Sequence, residues 1–277
     1  MTPDKRTAPF TVRHYPELDS TNEESKRLLA QEDISSPLIV RADSQTAGKG
    51  TQGRQWFSPP GAGLYFSVVH SFETGSDWLL PAIHPTGDAP FHSMNEWNES
   101  FHEADQFWSA SQGQDSQSKG SIPLTPLFTL AAGVACAETV ATLTGLSIQL
   151  KPINDLYVEG RKLGGILTES LISENRCKAL ITGIGINLRE HEAVQEGCTQ
   201  DQRGHQPISL QACIAPQLFQ QWHPAALMEE LSQAIAMAVD EQYRRLAQGR
   251  TTELLAAYLR YKLPEIDMPD SIARLLG

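Results

Sequence analysis

Four short stretches, Leu146–Lys151, Asp155–Val158, Leu163–Ile172 and Lys178–Leu188, follow one another with only tight spacers between them. The spacers are Lys151-Pro152-Ile153-Asn154-Asp155, Glu159-Gly160 and Ser173-Glu174-Asn175, all built from residues that favour turns. Connections this short suit neighbouring antiparallel strands, because a parallel pair needs a long crossover. The segment reads as an antiparallel meander. Gly183-Ile-Gly185-Ile-Asn187 ends its last strand, and glycines inside a strand mark close approach by another backbone or a ligand.

A second strand pair frames the most distinctive loop in the chain. Leu38-Ile39-Val40 leads in and Leu64–Val69 leads out, both rich in β-branched and aromatic residues. Between them lies Gly48-Lys49-Gly50-Thr51-Gln52-Gly53-Arg54-Gln55-Trp56. Glycines let backbone N–H groups approach a ligand, and lysine and arginine supply charge for phosphate. The spelling G-x-G-x-x-G invites a dinucleotide fold, but that fingerprint needs a helix opening directly after the glycines. Here Ser58-Pro59-Pro60-Gly61 follows and blocks one. The physical reading is an anion-binding loop between two strands.

Helical patterns fill much of the rest. Asp19-Ser20-Thr21-Asn22-Glu23-Glu24 reads as a helix start, with Ser20 and Glu23, and Thr21 and Glu24, at capping-box spacing. The same Ser-Thr-Asn cluster could instead present hydroxyls and an amide to a polar ligand. Thr125-Pro126 opens a core helix that Gly145 closes, and further helices are predicted over Pro224–Ala247 and Thr251–Lys262. At the meander's first corner, Lys151 stands at a strand end beside Asn154 and Asp155, either a plain turn or a fixed cation for a ligand. Together the elements predict an α+β fold with a mixed, mostly antiparallel sheet and packed helices.

Composition narrows the function classes. The net charge of −11 argues against a general nucleic-acid binder. The start shows no signal peptide, and no apolar run is read as approaching a membrane span. Cys136, Cys177, Cys198 and Cys213 share no C-x-x-C spacing, which suits unpaired thiols in a reducing cytoplasm and no metal site. Residues 71–121 hold eight acids against Lys119, together with Trp78, Trp97 and Trp108. They read as an acidic, partly disordered insertion in which His84, His92 and His102 are solvated.

Taken together, these motifs resemble the biotin–protein ligases. Ser20-Thr21-Asn22 is similar to the family's Ser-Thr-Asn, and Gln45 with Gly48 to Trp56 to its Gly-Arg-Gly-Arg-Arg-Gly-Arg-x-Trp loop. Lys151 to Glu169 resembles the Lys-Trp-Pro-Asn-Asp signature and the hairpin after it, and Gly183 to Asn187 its Gly-x-Gly-x-Asn. The resemblance implies a monofunctional ligase. Biotin and ATP, with Mg²⁺, would give biotinyl-5′-adenylate, and a lysine of a biotin carrier protein, such as that of acetyl-CoA carboxylase, would then take the biotin. It assigns the biotin head group to Ser20, Thr21, Asn22 and Gln45. Lys49, Gly50 and Thr51 fall to the loop over the adenylate, with Gly48, Gly53, Arg54, Trp56 and Asn187 around the nucleotide. Lys151 is the expected catalytic contact to the biotin carboxylate and α-phosphate, and Asp155 is a candidate base for the carrier amine.

Three departures qualify the match. Thr51 and Gln52 stand where the family often has arginines, Pro152-Ile153 replaces Trp-Pro, and the small C-terminal barrel is read as absent or reduced to residues 263–277. The catalytic domain is thus expected over 1–262. No helix-turn-helix precedes it, so no DNA partner is expected; with no membrane span read, no membrane partner is expected either, while a homodimer is admitted. The competing readings are a lipoate- or octanoate-transferring relative and a non-catalytic biotin or adenylate binder. The ligase reading requires Lys49 and Lys151 to converge on one activated phosphate.

Overall fold

A computed structural model describes residues 10–31, 34, 37–72, 125–173, 176–192, 194, 206–216, 219 and 224–264. Its strands are β1 (Thr11–Tyr15), β2 (Leu38–Ala42), β3 (Gly63–Ser71), β4 (Gln149–Lys151), β5 (Asp155–Val158), β6 (Arg161–Ser173) and β7 (Arg176–Asn187). They form one sheet in the order β1-β2-β3-β7-β6-β5-β4. The pair β1–β2 is parallel and every other neighbouring pair is antiparallel. The predicted α+β class and the meander β4 to β7 both stand. Strand β1 was not anticipated, because five residues that include Arg13 and His14 give a weak apolar signal. Helix α1 (Thr21–Gln31) is the crossover that the parallel pair requires.

Side chains alternate across the sheet and build two layers. On one face Ile39, Leu64, Phe66, Val68, Ile166 and Ile184 join a core with α2 (Thr125–Thr144), α3 (Pro224–Ala247) and α4 (Thr251–Tyr261). Each fully buried Leu, Ile or Phe contributes ~1.5–3 kcal/mol. On the other face Leu38, Val40 and Val69 pack against Leu28 of α1. The expectation that no apolar run approaches a membrane span needs correction. Pro126–Thr144 has that length and apolarity, with 67% of it buried inside the protein. Sheet, α3 and α4 surround it, so it is apolar all round as a core helix is.

One irregularity bears directly on function. Leu156 pairs with Gly164, yet Tyr157 pairs with Lys162, so Leu163 is an extra residue in β6. Such a bulge re-aims the side chains beyond it. Leu163 enters the core with no exposure. Lys162 consequently shares a face with Asp155 and Gly165, which strict alternation would forbid. Most of the acidic stretch, Cys198 and residues 265–277, which include nearly all of the expected C-terminal remnant, lie outside the described residues.

Candidate functional site

The α1 face of the sheet carries a cavity of about 770 Å³ between the start of α1, the Gly48–Trp56 loop and strands β5 to β7. Of the predicted site residues, Ser20, Thr21, Asn22, Gln45, Lys49, Gly50, Thr51, Arg54, Trp56 and Asn187 all line it. The structure brings them together from four separate stretches of chain. Gly48 and Gly53 support the loop from just outside the lining.

One part of the cavity lining is neutral and hydrogen-bonding. The Thr21 backbone N–H donates to Gln45 Oε1 at 2.8 Å, and Gln45 Nε2 donates to Ser58 Oγ at 2.8 Å. Ser67 Oγ, on β3, donates to Asn22 Oδ1 at 2.6 Å and lies 2.8 Å from Thr21 Oγ1. Asn22 Nδ2 donates to the Leu167 carbonyl and to Glu169 Oε2. A Cβ on Gly183 would fall onto Asn22 Oδ1, so only glycine there lets Asn22 lie against β7. Neither glutamate closes a capping box: Glu23 accepts from Lys26 and Lys49, and Glu24 from Arg27. The Ser-Thr-Asn cluster thus faces the cavity.

The loop is a small hairpin rather than a loose strap. Lys49 and Gln55 form an antiparallel bridge, Trp56 N–H donates to the Gly48 carbonyl, and a 3₁₀ turn over Thr51–Gly53 closes the tip. Gly53 sits at φ 68° within that turn. Arg54 is drawn inward by bonds to the carbonyl and hydroxyl of Thr51. Trp56 lies over Gly165 and Gly185, which are cross-strand partners, and a Cβ on Gly185 would collide with the indole.

The cavity lining brings in a second lysine beside the expected one. Lys151 is not among the residues that line the cavity, although it pairs with Asp155, which is, and so shares its face of the sheet. It occupies the edge strand β4 opposite Asp155, with its ammonium 5.8 Å from the centre of the Tyr157 ring. Lys162 lines the cavity instead, 2.8 Å from Asp155 Oδ1 and 5.4 Å over the Trp56 ring. Lys49 and Lys162 thus line the same cavity. Two backbone bonds tie Lys162 to the segment at 206–208, and Asn187 Nδ2 donates to the Ile208 and Lys162 carbonyls. Asn187 accordingly fixes the backbone at Lys162 as well as lining the cavity. Sequence inspection missed Lys162 because a regular strand would place it on the opposite face from Gly165.

The lining charges are Lys49, Arg54 and Lys162 against the carboxylate of Asp155. A chain of net charge −11 thus concentrates cations at one cavity, the arrangement that draws in an anion. Burial pushes the Glu23 carboxyl up, but bonds from Lys26 and Lys49 outweigh it and hold the group below its ordinary value. Among the described residues no cluster of three His, Cys, Asp or Glu side chains is placed to hold a metal.

Comparison with known proteins follows the same residues. The model of the biotin/lipoate A/B protein ligase family matches residues 15–81 and 108–187. The bifunctional ligase/repressor BirA of Bacillus subtilis (strain 168) is 27% identical over 176 residues, 64% of this chain and 40% of that protein. Its counterpart from Escherichia coli (strain K12) is 28% identical over 191 residues, 68% of this chain and 44% of that protein. The chain thus spans less than half the length of these relatives. The fold is shared with biotin protein ligase from Aquifex aeolicus in complex with biotin and ATP, at 22% identity and a TM-score of 0.56, covering 91% of this chain and 78% of that one. It is also shared with biotin protein ligase from Leishmania major in complex with biotin, at 18% identity and a TM-score of 0.58, covering 95% and 85%.

Proposed function

Since the chain belongs to the biotin/lipoate A/B protein ligase family, we propose that it is an ATP-dependent biotin–protein ligase. The observation that carries this reading is a single cavity lined both by the neutral hydrogen-bonding groups of Ser20, Thr21, Asn22 and Gln45 and by the cations Lys49, Arg54 and Lys162. A ureido head group suits the first and a phosphate flanked by a carboxylate suits the second. Relatives described as biotin protein ligases with biotin and ATP bound share the fold, which favours these two substrates.

In the first step an oxygen of the biotin carboxylate attacks the α-phosphorus of ATP, and the bond to pyrophosphate breaks. The carboxylate is ionised at neutral pH, so no base is required, only neutralisation of two anions brought together. Lys162, oriented by Asp155, supplies that charge between them. Mg²⁺ carried by the ATP phosphates would neutralise further charge there. Trp56 and Asn187 would border the nucleotide, and Ser20, Thr21, Asn22 and Gln45 the head group. In the second step a lysine amine of a biotin carrier protein, of the acetyl-CoA carboxylase kind, attacks the acyl carbon. AMP leaves with the C–O bonding pair, and the amine gives up its proton. Asp155 is the carboxylate within the cavity for that proton, and its ion pair with Lys162 makes it a positioning group in the first step as well. Free Cys136, Cys177 and Cys213 suit a reducing cytoplasm.

The test is biotin-dependent release of pyrophosphate from ATP, with Lys162→Ala as control. Release by the parent and not by the control supports the ligase. Binding of biotin without release makes the chain a binder, and release driven by lipoate or octanoate instead moves it to the other branch of the family. Thr51 is buried on the cavity wall where an arginine would add charge. Thr51→Arg is therefore expected to reduce labelling of bystander lysines by escaped adenylate, by about two- to fivefold. Equal labelling would show that charge at this position does not limit retention.

A further inference from the structure

Lys49 lines the cavity, yet its charge is already matched. Its ammonium lies 2.7 Å from Glu23 Oε1, and the same oxygen takes Lys26 Nζ at 2.8 Å. Lys26 in turn reaches Glu169 Oε1 at 2.8 Å. Two lysines and two glutamates alternate in one chain of contacts, so the group is neutral as a whole. Glu23 is one residue beyond Asn22, and its partner Lys49 lies 26 positions away on the anion-binding loop. A phosphate entering the cavity must draw Lys49 away from Glu23, leaving Glu23, Lys26 and Glu169 with a residual negative charge beside the ligand. Both effects, loss of the ion pair and the exposed carboxylate, oppose anion binding.

We propose that Glu23 is a positioning residue that competes with bound phosphate for Lys49 and so sets how loosely this site holds ATP and the adenylate. The pair is half-exposed on the Lys49 side, at 48%, which places its strength on the scale of surface ion pairs. Glu23 keeps Lys26 when Lys49 departs, so the exchange of partners is reversible rather than disruptive. The role deepens the ligase reading and rests on it for the identity of the anion. The competition itself concerns any polyphosphate that reaches Lys49.

The test measures inorganic pyrophosphate and ATP binding by calorimetry at low and high salt, for the parent, Glu23→Gln, Lys49→Met and the double variant. Glu23→Gln is expected to bind both anions about three- to fivefold more tightly at low salt, with the gain shrinking at high salt. In the Lys49→Met background the gain should disappear, which a merely structural role of Glu23 would not produce. Weaker or unchanged binding by Glu23→Gln would overturn the proposal and make the pair a latch or a bystander. A gain that survives in Lys49→Met would overturn it too. Pyrophosphate release by the parent is scored separately: its absence alongside the Glu23→Gln gain would remove the ligase and leave the anion competition intact.

Discussion

Lys162→Ala is expected to slow biotin-dependent pyrophosphate release by about 10²–10³-fold, the scale of losing one preorganised group that stabilises developing charge. The side chain is held from three directions. Asp155 pairs with its ammonium, the Trp56 ring lies beneath it, and its backbone is bonded to residues 206 and 208. A cation fixed in this way costs no reorganisation when carboxylate and α-phosphate meet. Biotin binding should change far less than turnover, because the head group is proposed to be held by Thr21, Asn22 and Gln45, which line the cavity. Lys151→Ala is the informative companion, and a smaller loss than from Lys162→Ala is expected from a half-buried lysine outside the cavity lining. A larger loss from Lys151→Ala than from Lys162→Ala would return the catalytic assignment to the edge strand. Since Lys162→Ala also leaves Asp155 without its cation, Lys162→Arg serves as a check on folding. It keeps the charge and should retain the parent's melting temperature while still impairing turnover, because the planar guanidinium does not reproduce a point ammonium.

The second large effect is expected at a position with no functional group. Gly183→Ala adds a methyl that falls onto Asn22 Oδ1. Asn22 is buried and bonded to Ser67, the Leu167 carbonyl and Glu169, so it has no room to give. Overpacking of this kind costs about 1–3 kcal/mol. Displacing Asn22 also disturbs the Ser67–Thr21–Gln45 network on which head-group binding is proposed to depend. Biotin affinity is expected to fall at least about tenfold, with a melting temperature several degrees lower. Gly185→Ala should separate the two groups of lining residues. Its methyl meets the Trp56 indole instead, so ATP binding is expected to suffer more than biotin binding. If Gly183→Ala bound biotin as the parent does, the seat of Asn22 against β7 would have no bearing on recognition.

Much of this was legible from residue order. The meander, the strand pair around the loop and the core helix each announce themselves through alternation, glycine turns or a Thr-Pro start, because those signals arise from local backbone preferences. The members of the cavity were legible wherever they sit in motifs: Ser20 to Asn22, Gln45, Lys49 to Trp56, and Asn187. Three things were not. Strand β1 is specified by pairing with β2 and by the crossover helix, and its own five residues carry little apolar signal. The partners of Glu23 are 3, 26 and, through Lys26, 146 residues away, so capping-box spacing suggested a local role that the tertiary contacts override. Lys162 follows a turn in an ordinary Arg-Lys pair, and a reader assuming regular alternation sends it to the wrong face.

The bulge at Leu163 gives that last point a practical edge. The turn before it is fixed by two residues with positive φ, Glu159 and Gly160, so the count of residues from Asp155 to Lys162 is set by backbone geometry. Forcing Arg161–Gly165 into regular alternation would keep every chemical group of the site and still put Lys162 and Gly165 on opposite faces. Anyone transplanting this site onto another scaffold would therefore have to copy a miscount between two strands, since the amino acids alone would arrive facing the wrong way.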